Sequence, residues 1–197
     1  MPGDTPTDGR RVRREQGREA VIEAVIDLQF EGHDASSPEL VAERAGVSVA
    51  SLFRYFDGLD DLRATGVERF FERYSHLFEI PDIGEGSLVD RVRSVVSARV
   101  DQHTTTEPVA RNVRREARTS VIIGDALDRL RSTQVDQLRI HFDAEIAALT
   151  PAAADDLVAT IAVITSFESW EQFRHVSGRT DAQIRRAWNA AVSRLFG

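Results

Sequence analysis

The sequence predicts an all-α architecture of about nine helices, with a three-helix N-terminal head followed by a larger helical domain. Three observations predict it. Apolar residues recur at three- and four-residue spacing along almost the whole chain. No stretch alternates apolar and polar with period two, and no Asn-Gly or Asp-Gly hairpin joins two apolar runs. Glycine, proline and serine stand where helices of that spacing would start and stop.

Residues 1–10, rich in Pro, Gly, Thr and Asp, read as a disordered lead-in. The first helix is expected from near Arg14 to Phe30, with Val21, Val25 and Leu28 on one stripe, Ile22 and Ile26 beside it, and Gly32 closing it. Ser37 caps a second helix, with Pro38 at its first position, where a missing N–H costs nothing. This helix stops at Gly46. Ser48 caps a third helix, Val49 to Phe56, and Asp57-Gly58 ends it. A fourth, connecting helix falls within 59–80, and Pro81 to Gly86 reads as a linker. Five further helices are expected over 87–103, 107–118, 120–149, 153–176 and 181–196. The domain boundaries that follow are a head over 11–58, the connecting helix over 59–80 and a helical domain over 87–197.

Composition bounds the function. With 42% hydrophobic residues the chain can bury a real core, yet no apolar run approaches the roughly 20 residues that span a bilayer. The start lacks the layout of a secretory signal, so the cytoplasm is the expected location and no membrane partner is expected. Without cysteine there is no disulfide, thiolate nucleophile or zinc finger. The five histidines lie far apart, and none forms a His-x-x-x-His or Glu-x-x-His pair, so no metal or other cofactor is expected. Neither a Gly-rich phosphate loop nor a Gly-x-Ser-x-Gly elbow is present, which argues against an enzyme.

The net charge of -7 argues at first against nucleic acid, but every basic residue is arginine and five of them (Arg10, Arg11, Arg13, Arg14 and Arg18) cluster at the N-terminus. A basic arm on an acidic body can still grip phosphate, because exposed charges more than about 10 Å apart are screened at moderate salt.

The informative segment is Ser37 to Phe56, two short helices joined at a glycine, the layout of a helix-turn-helix. Val41, Ala45, Val47, Leu52 and Phe56 form its expected inward set, and small Ala42 lets the helices approach. Val49, Ala50, Ser51, Phe53, Arg54 and Tyr55 remain to face DNA, since the second helix of such a motif lies in the major groove. Ser51 can donate to phosphate or a base edge, and Tyr55 can reach the backbone. Ser37 sits where a helix N-terminus offers bare N–H groups to phosphate. Arg13, Arg14, Arg44 and Ser48 complete the expected DNA-binding set.

The stretch from Ala42 to Leu62 resembles the signature of the TetR family of transcriptional regulators, matching it at Ala42, Ala45, Gly46, Val47, Ser48, Leu52, Phe56 and Leu62. It departs where the family has a glycine (Ala50), a tyrosine (Phe53) and a lysine (Leu59). The last two departures remove two phosphate contacts that the pattern implies, each of which should flatten the salt dependence by nearly one log unit. The resemblance implies a regulator, most often a repressor, that binds palindromic operator DNA as a homodimer and is released by a small-molecule effector. The alternative is a helical ligand-binding or scaffold protein with degenerate DNA recognition.

In the larger domain, the apolar rows of the last two expected helices suit a helical dimer interface: Leu157, Ile161 and Ile164 on one, and Ile184, Trp188, Ala191 and Leu195 on the other. A second row, Val163, Phe167 and Trp170, would face the opposite way. His103, Phe142, Phe167, Trp170 and Phe173 are the candidate lining of a cavity for a small, largely apolar ligand.

Overall fold

The computed structural model describes residues 6–33 and 37–197. Among the described residues every regular element is helical. The α-helices are α1 (Pro6–Phe30), α2 (Pro38–Ala45), α3 (Val49–Tyr55), α4 (Leu59–Tyr74), α5 (Leu88–Glu116), α6 (Val121–His141), α7 (Asp143–Ile146), α8 (Pro151–Ile164), α9 (Phe167–Glu171) and α10 (Asp181–Ser193). Short 3₁₀ turns follow α4 and α10, and a π-helical turn follows α9. Among the described residues no helix is long and apolar enough to cross a membrane.

Several expected boundaries move. Residues 6–10, expected in a disordered lead-in, are the first turns of α1, while residues 1–5 lie outside the described residues. Pro6 opens the helix with its φ already set, and the arginines and Glu15 that follow are good helix formers. The two helices expected over 87–103 and 107–118 are one, with Pro108 inside α5. The carbonyl deprived of a donor by that proline belongs to Thr104, which is exposed, so water can take the missing bond. The helix expected over 153–176 is broken instead. Thr165 Oγ1 donates to Ile161 O at 2.8 Å, and Ser166 Oγ accepts from Ser169 N–H at 3.1 Å, capping α9.

The chain divides into two compact units, Met1–Arg73 with Pro108–Leu127, and Tyr74–Glu107 with Asp128–Gly197. The expected linker at 81–86 falls within the second of these units. There Gly84 N–H donates to His141 Nδ1 at 3.0 Å and Arg91 Nη1 to Gly86 O at 2.6 Å. The end of α5 belongs with the head, because its polar side chains satisfy groups there. Asn112 Nδ2 donates to His33 O at 3.0 Å, and Gln29 Nε2 to Glu116 Oε1 at 3.3 Å.

The core of the first unit is formed by Val21, Ile22, Ile26 and Leu28 of α1, Val41 and Ala42 of α2, Leu52 of α3, Phe56 and Leu62, all buried. Side chains of this size contribute about 1.5–3 kcal/mol each when fully buried. Pairs between arginine and glutamate add to the α1–α4 contact, Arg69 with Glu19 and Arg73 bidentate with Glu23 at 2.6 Å. In the second unit Val92, Val95, Val96 and Val100 of α5 are buried, as are Leu138, Val158, Ile161, Trp170, Ile184, Trp188 and Val192.

Candidate nucleic-acid interface and sensor residues

α2 and α3 are short helices whose ends are set locally. Ser37 Oγ accepts from Leu40 N–H at 3.3 Å and Ser48 Oγ from Ser51 N–H at 3.1 Å. Between them Gly46 turns the chain at φ 67°, a left-handed conformation that costs glycine nothing, and Val47 N–H closes on Ala42 O at 3.0 Å. Of the expected inward set, Val41, Leu52 and Phe56 are buried, while Ala45 and Val47 are half-buried.

With Leu52 and Phe56 behind it, α3 presents Ala50, Phe53 and Arg54 to solvent on one face, at i, i+3 and i+4. Phe53 is 46% exposed, a large apolar ring on the outer surface. Ser48, at the cap, is exposed, and Val49 and Ser51 are half-buried. A polar chain runs along this surface. Arg54 Nη2 donates to Ser51 Oγ at 2.6 Å, and Ser48 Oγ to Ser51 Oγ at 3.0 Å. The guanidinium and two hydroxyls thus stand together at the N-terminal end and outer side of α3.

The arginines divide between this surface and the scaffold. Arg13 and Arg14 are exposed on α1, and Arg14 Nη2 reaches Arg54 O at 3.2 Å, which brings the basic end of α1 beside α3. Arg18, by contrast, is structural. Its guanidinium lies 5.0 Å from the Phe56 ring centroid and donates to Thr65 Oγ1 at 3.4 Å. Arg44, expected at the DNA, is instead bidentate with Glu31, at 2.9 and 2.6 Å. That partner holds the Glu31 carboxyl below its ordinary value. Ser37 uses its hydroxyl as the α2 cap and as a donor to Glu39 Oε2 at 3.1 Å. Tyr55 is half-buried and lies against Gly17 of α1 rather than pointing outward. Neither Gly17 nor Arg18 announces its partner in the sequence.

In the second unit, three of the five expected cavity residues fall out differently from the rest. His103, Phe167 and Trp170 cluster, with His103 5.7 Å from Phe167, 6.1 Å from Trp170 and 6.2 Å from Trp188 between ring centroids. His103 Nε2 lies 2.9 Å from Thr165 O. The indole nitrogens of Trp170 and Trp188 are buried with no hydrogen-bond acceptor among the described residues. Phe142 is buried elsewhere, 5.0 Å from both His141 and Phe196, and Phe173 is half-buried. The sequence reading missed the buried polar residues of α5 other than His103, namely Arg91, Arg99, Gln102, Thr106 and Asn112. Their signal was available: polar side chains at three- and four-residue spacing on the same stripe as Val92, Val95 and Val96.

The expected interface row divides. Ile161, Ile184 and Trp188 are buried in this chain's own core, so a partner cannot touch them. Leu157, Ile164 and Ala191 are half-buried and Leu195 is 36% exposed. The outward apolar residue of α8 is Val163, at 69% exposure, one turn from exposed Ala159. On α10 exposed Ala190 lies between half-buried Ala187 and Ala191.

No protein-family model matches the chain, and no curated protein matches it in sequence. Solved structures do match in fold. A TetR-family transcriptional regulator from Streptomyces coelicolor superposes with a TM-score of 0.72 at 19% identity, over 92% of this chain and 80% of that one. A protein of Rhodococcus sp. assigned to the TetR family gives 0.68 at 15% identity, over 92% and 99%. A transcriptional regulator from Rhodococcus sp. Rha1 gives 0.65 at 16%, over 90% and 95%. The chain therefore has the fold of these regulators along nearly its whole length.

Proposed function

We propose that this chain is a DNA-binding transcriptional regulator that reads an operator through α3. One observation carries the reading: the solvent-facing row Ala50, Phe53 and Arg54, with Ser48 and Ser51 beside it, on a helix anchored from behind by Leu52 and Phe56. Small Ala50 permits close approach to the groove, Arg54 and Ser51 supply donors for base edges or phosphate, and Phe53 offers an apolar contact of the kind a thymine methyl accepts. Arg13 and Arg14 extend the basic surface along α1, and phosphate contacts of this kind set register. The match to the TetR signature and the shared fold of the neighbours support the same reading.

The chain acts as a homodimer on a palindromic operator, because two reading helices about one helical turn (~34 Å) apart match two symmetric half-sites. The exposed small and apolar residues Ala159, Val163 and Ala190 suit the packing of α8 and α10 on their counterparts in a partner. The second unit binds a small-molecule effector whose occupancy favours a geometry unfit for the operator, which makes the protein a repressor.

The test is fluorescence anisotropy with the DNA upstream of the protein's own gene, across several salt concentrations. A specific complex that outcompetes random DNA is expected. Binding that never discriminates between the two would favour the alternative of a helical ligand-binding protein.

A further inference from the structure

Arg99 of α5 is 2% exposed, and among the described residues no carboxylate pairs with it. Its bonds go to neutral acceptors only. Nη1 donates to Phe78 O and to Gln102 Oε1, both at 3.1 Å, and Nη2 to Gln137 Oε1 at 3.0 Å. Gln134 Nε2 in turn donates to Gln102 Oε1 at 3.0 Å. The contrast with Arg91 on the same helix is direct, since that buried guanidinium is paired with Glu145. An unpaired charge in a protein interior costs several kcal/mol, and natural chains seldom bury one without a counterion. Burial lowers the Arg99 pKa to about 10, so the group is still cationic at neutral pH.

We infer that Arg99 is the anchor for the carboxylate of an anionic effector, which supplies the counterion that the described residues lack. The three bonds above use three of the five guanidinium hydrogens. Nε–H and one Nη2 hydrogen are left for a planar acceptor, and a carboxylate matches such a fork with two parallel bonds. One uncompensated positive charge calls for one negative charge, because Arg91 is already neutralised by Glu145 and His141 beside them is neutral at pH 7. A monocarboxylate therefore balances the site where a dianionic phosphate would overload it. The neighbours of the guanidinium are the amides of Gln102, Gln134 and Gln137, while Val95, Val96 and Val100 are closed off within the protein, so it is the anionic head of the effector that Arg99 specifies. This inference rests on the effector-binding reading and adds a carboxylate to that ligand.

Calorimetry on the intact protein with octanoate and benzoate, against octan-1-ol and benzamide, tests the site directly. Octanoate or benzoate is expected to bind and the neutral analogues are not. Arg99→Met is expected to fold, to be at least as stable as the parent without ligand, and to weaken carboxylate binding roughly 10- to 100-fold, the worth of a charge-assisted bond pair. Arg99→Lys, which keeps the charge without the fork, is expected to fall between. Equal binding of acid and neutral analogue, binding of neither, or a strong loss of stability in Arg99→Met would overturn the proposal, the last by making Arg99 a structural tie. Anisotropy with operator DNA is run alongside. Carboxylate binding that leaves the operator complex intact keeps the site and sinks the effector role, whereas operator release by a neutral compound does the reverse.

Discussion

Tyr55 of α3 rests on Gly17 of α1 so closely that a Cβ built at Gly17 would stand 2.5 Å from the phenol oxygen and 2.8 Å from Cζ. The phenol fills the place a side chain would take. Gly17 is therefore the contact that sets how the end of α3 lies against the long first helix.

For Gly17→Ala, two effects oppose each other. Alanine favours the helix by up to about 1 kcal/mol, while displacing the Tyr55 ring costs about 1–3 kcal/mol. Stability measured by urea unfolding should change by no more than about 2 kcal/mol. Operator affinity should fall, because α3 must shift. Adding Tyr55→Ala removes the clash, so Gly17→Ala made in that background should stabilise by about 1 kcal/mol.

Arg54 and Arg44 carry the same charge but different expectations. Arg54→Ala should weaken operator binding by about 1–3 kcal/mol and leave the dimer intact. Arg44→Ala breaks an exposed pair with Glu31 that solvent screens, and should leave stability and operator affinity nearly unchanged. Equal losses in the two variants, measured by anisotropy, would show that the wrong surface faces the groove.

Acid should loosen the second unit through His141. Gly84 N–H donates to Nδ1, which must therefore be unprotonated, and Nε2–H donates to Arg91 O at 2.9 Å. Desolvation first, and the positive charges of Arg91 and Arg99 with it, hold the His141 pKa below its ordinary 6.5, while Glu145 and the bond to Arg91 O act in the opposite sense. The folded state thus binds fewer protons than the unfolded chain. The stability contribution is complete above about pH 6.5 and is lost as pH falls from there through the lowered folded value. Urea midpoints between about pH 7.5 and 5 should show this slope, and His141→Gln should flatten it.

Val163→Arg puts a charge at the exposed large apolar position of α8. Sedimentation should show a folded monomer whose helical content matches the parent. A persistent dimer would move the interface away from α8 and α10.

Much of the head was legible in the sequence because its determinants are local. Ser37, Pro38, Gly46 and Ser48 set the ends of α2 and the start of α3 through bonds that span no more than five residues. Helical spacing alone picked out Ile22, Ile26, Leu52 and Phe56 as inward. The role of each arginine was not legible in the same way, because role depends on partner. Arg14 meets the carbonyl of a residue 40 positions away, and Arg73 meets Glu23 across 50. The row Leu157, Ile161, Ile164 and the row Val163, Phe167, Trp170 both have helical periodicity, and only packing shows that Ile161, Phe167 and Trp170 turn inward while Val163 faces solvent.

By itself, then, the sequence determined that the chain is helical, where α2 and α3 begin and turn, and that Ala50, Phe53 and Arg54 look outward, but not that Tyr55 turns back onto Gly17, since hydrogen-bond capping and side-chain period act within a turn or two. Tertiary structure alone decided that Arg44 is tied to Glu31, that Pro108 sits inside α5, and that Arg99 is buried with no counterion among the described residues. The environment of a charge is made by whatever packs around it, and those neighbours come from distant parts of the chain.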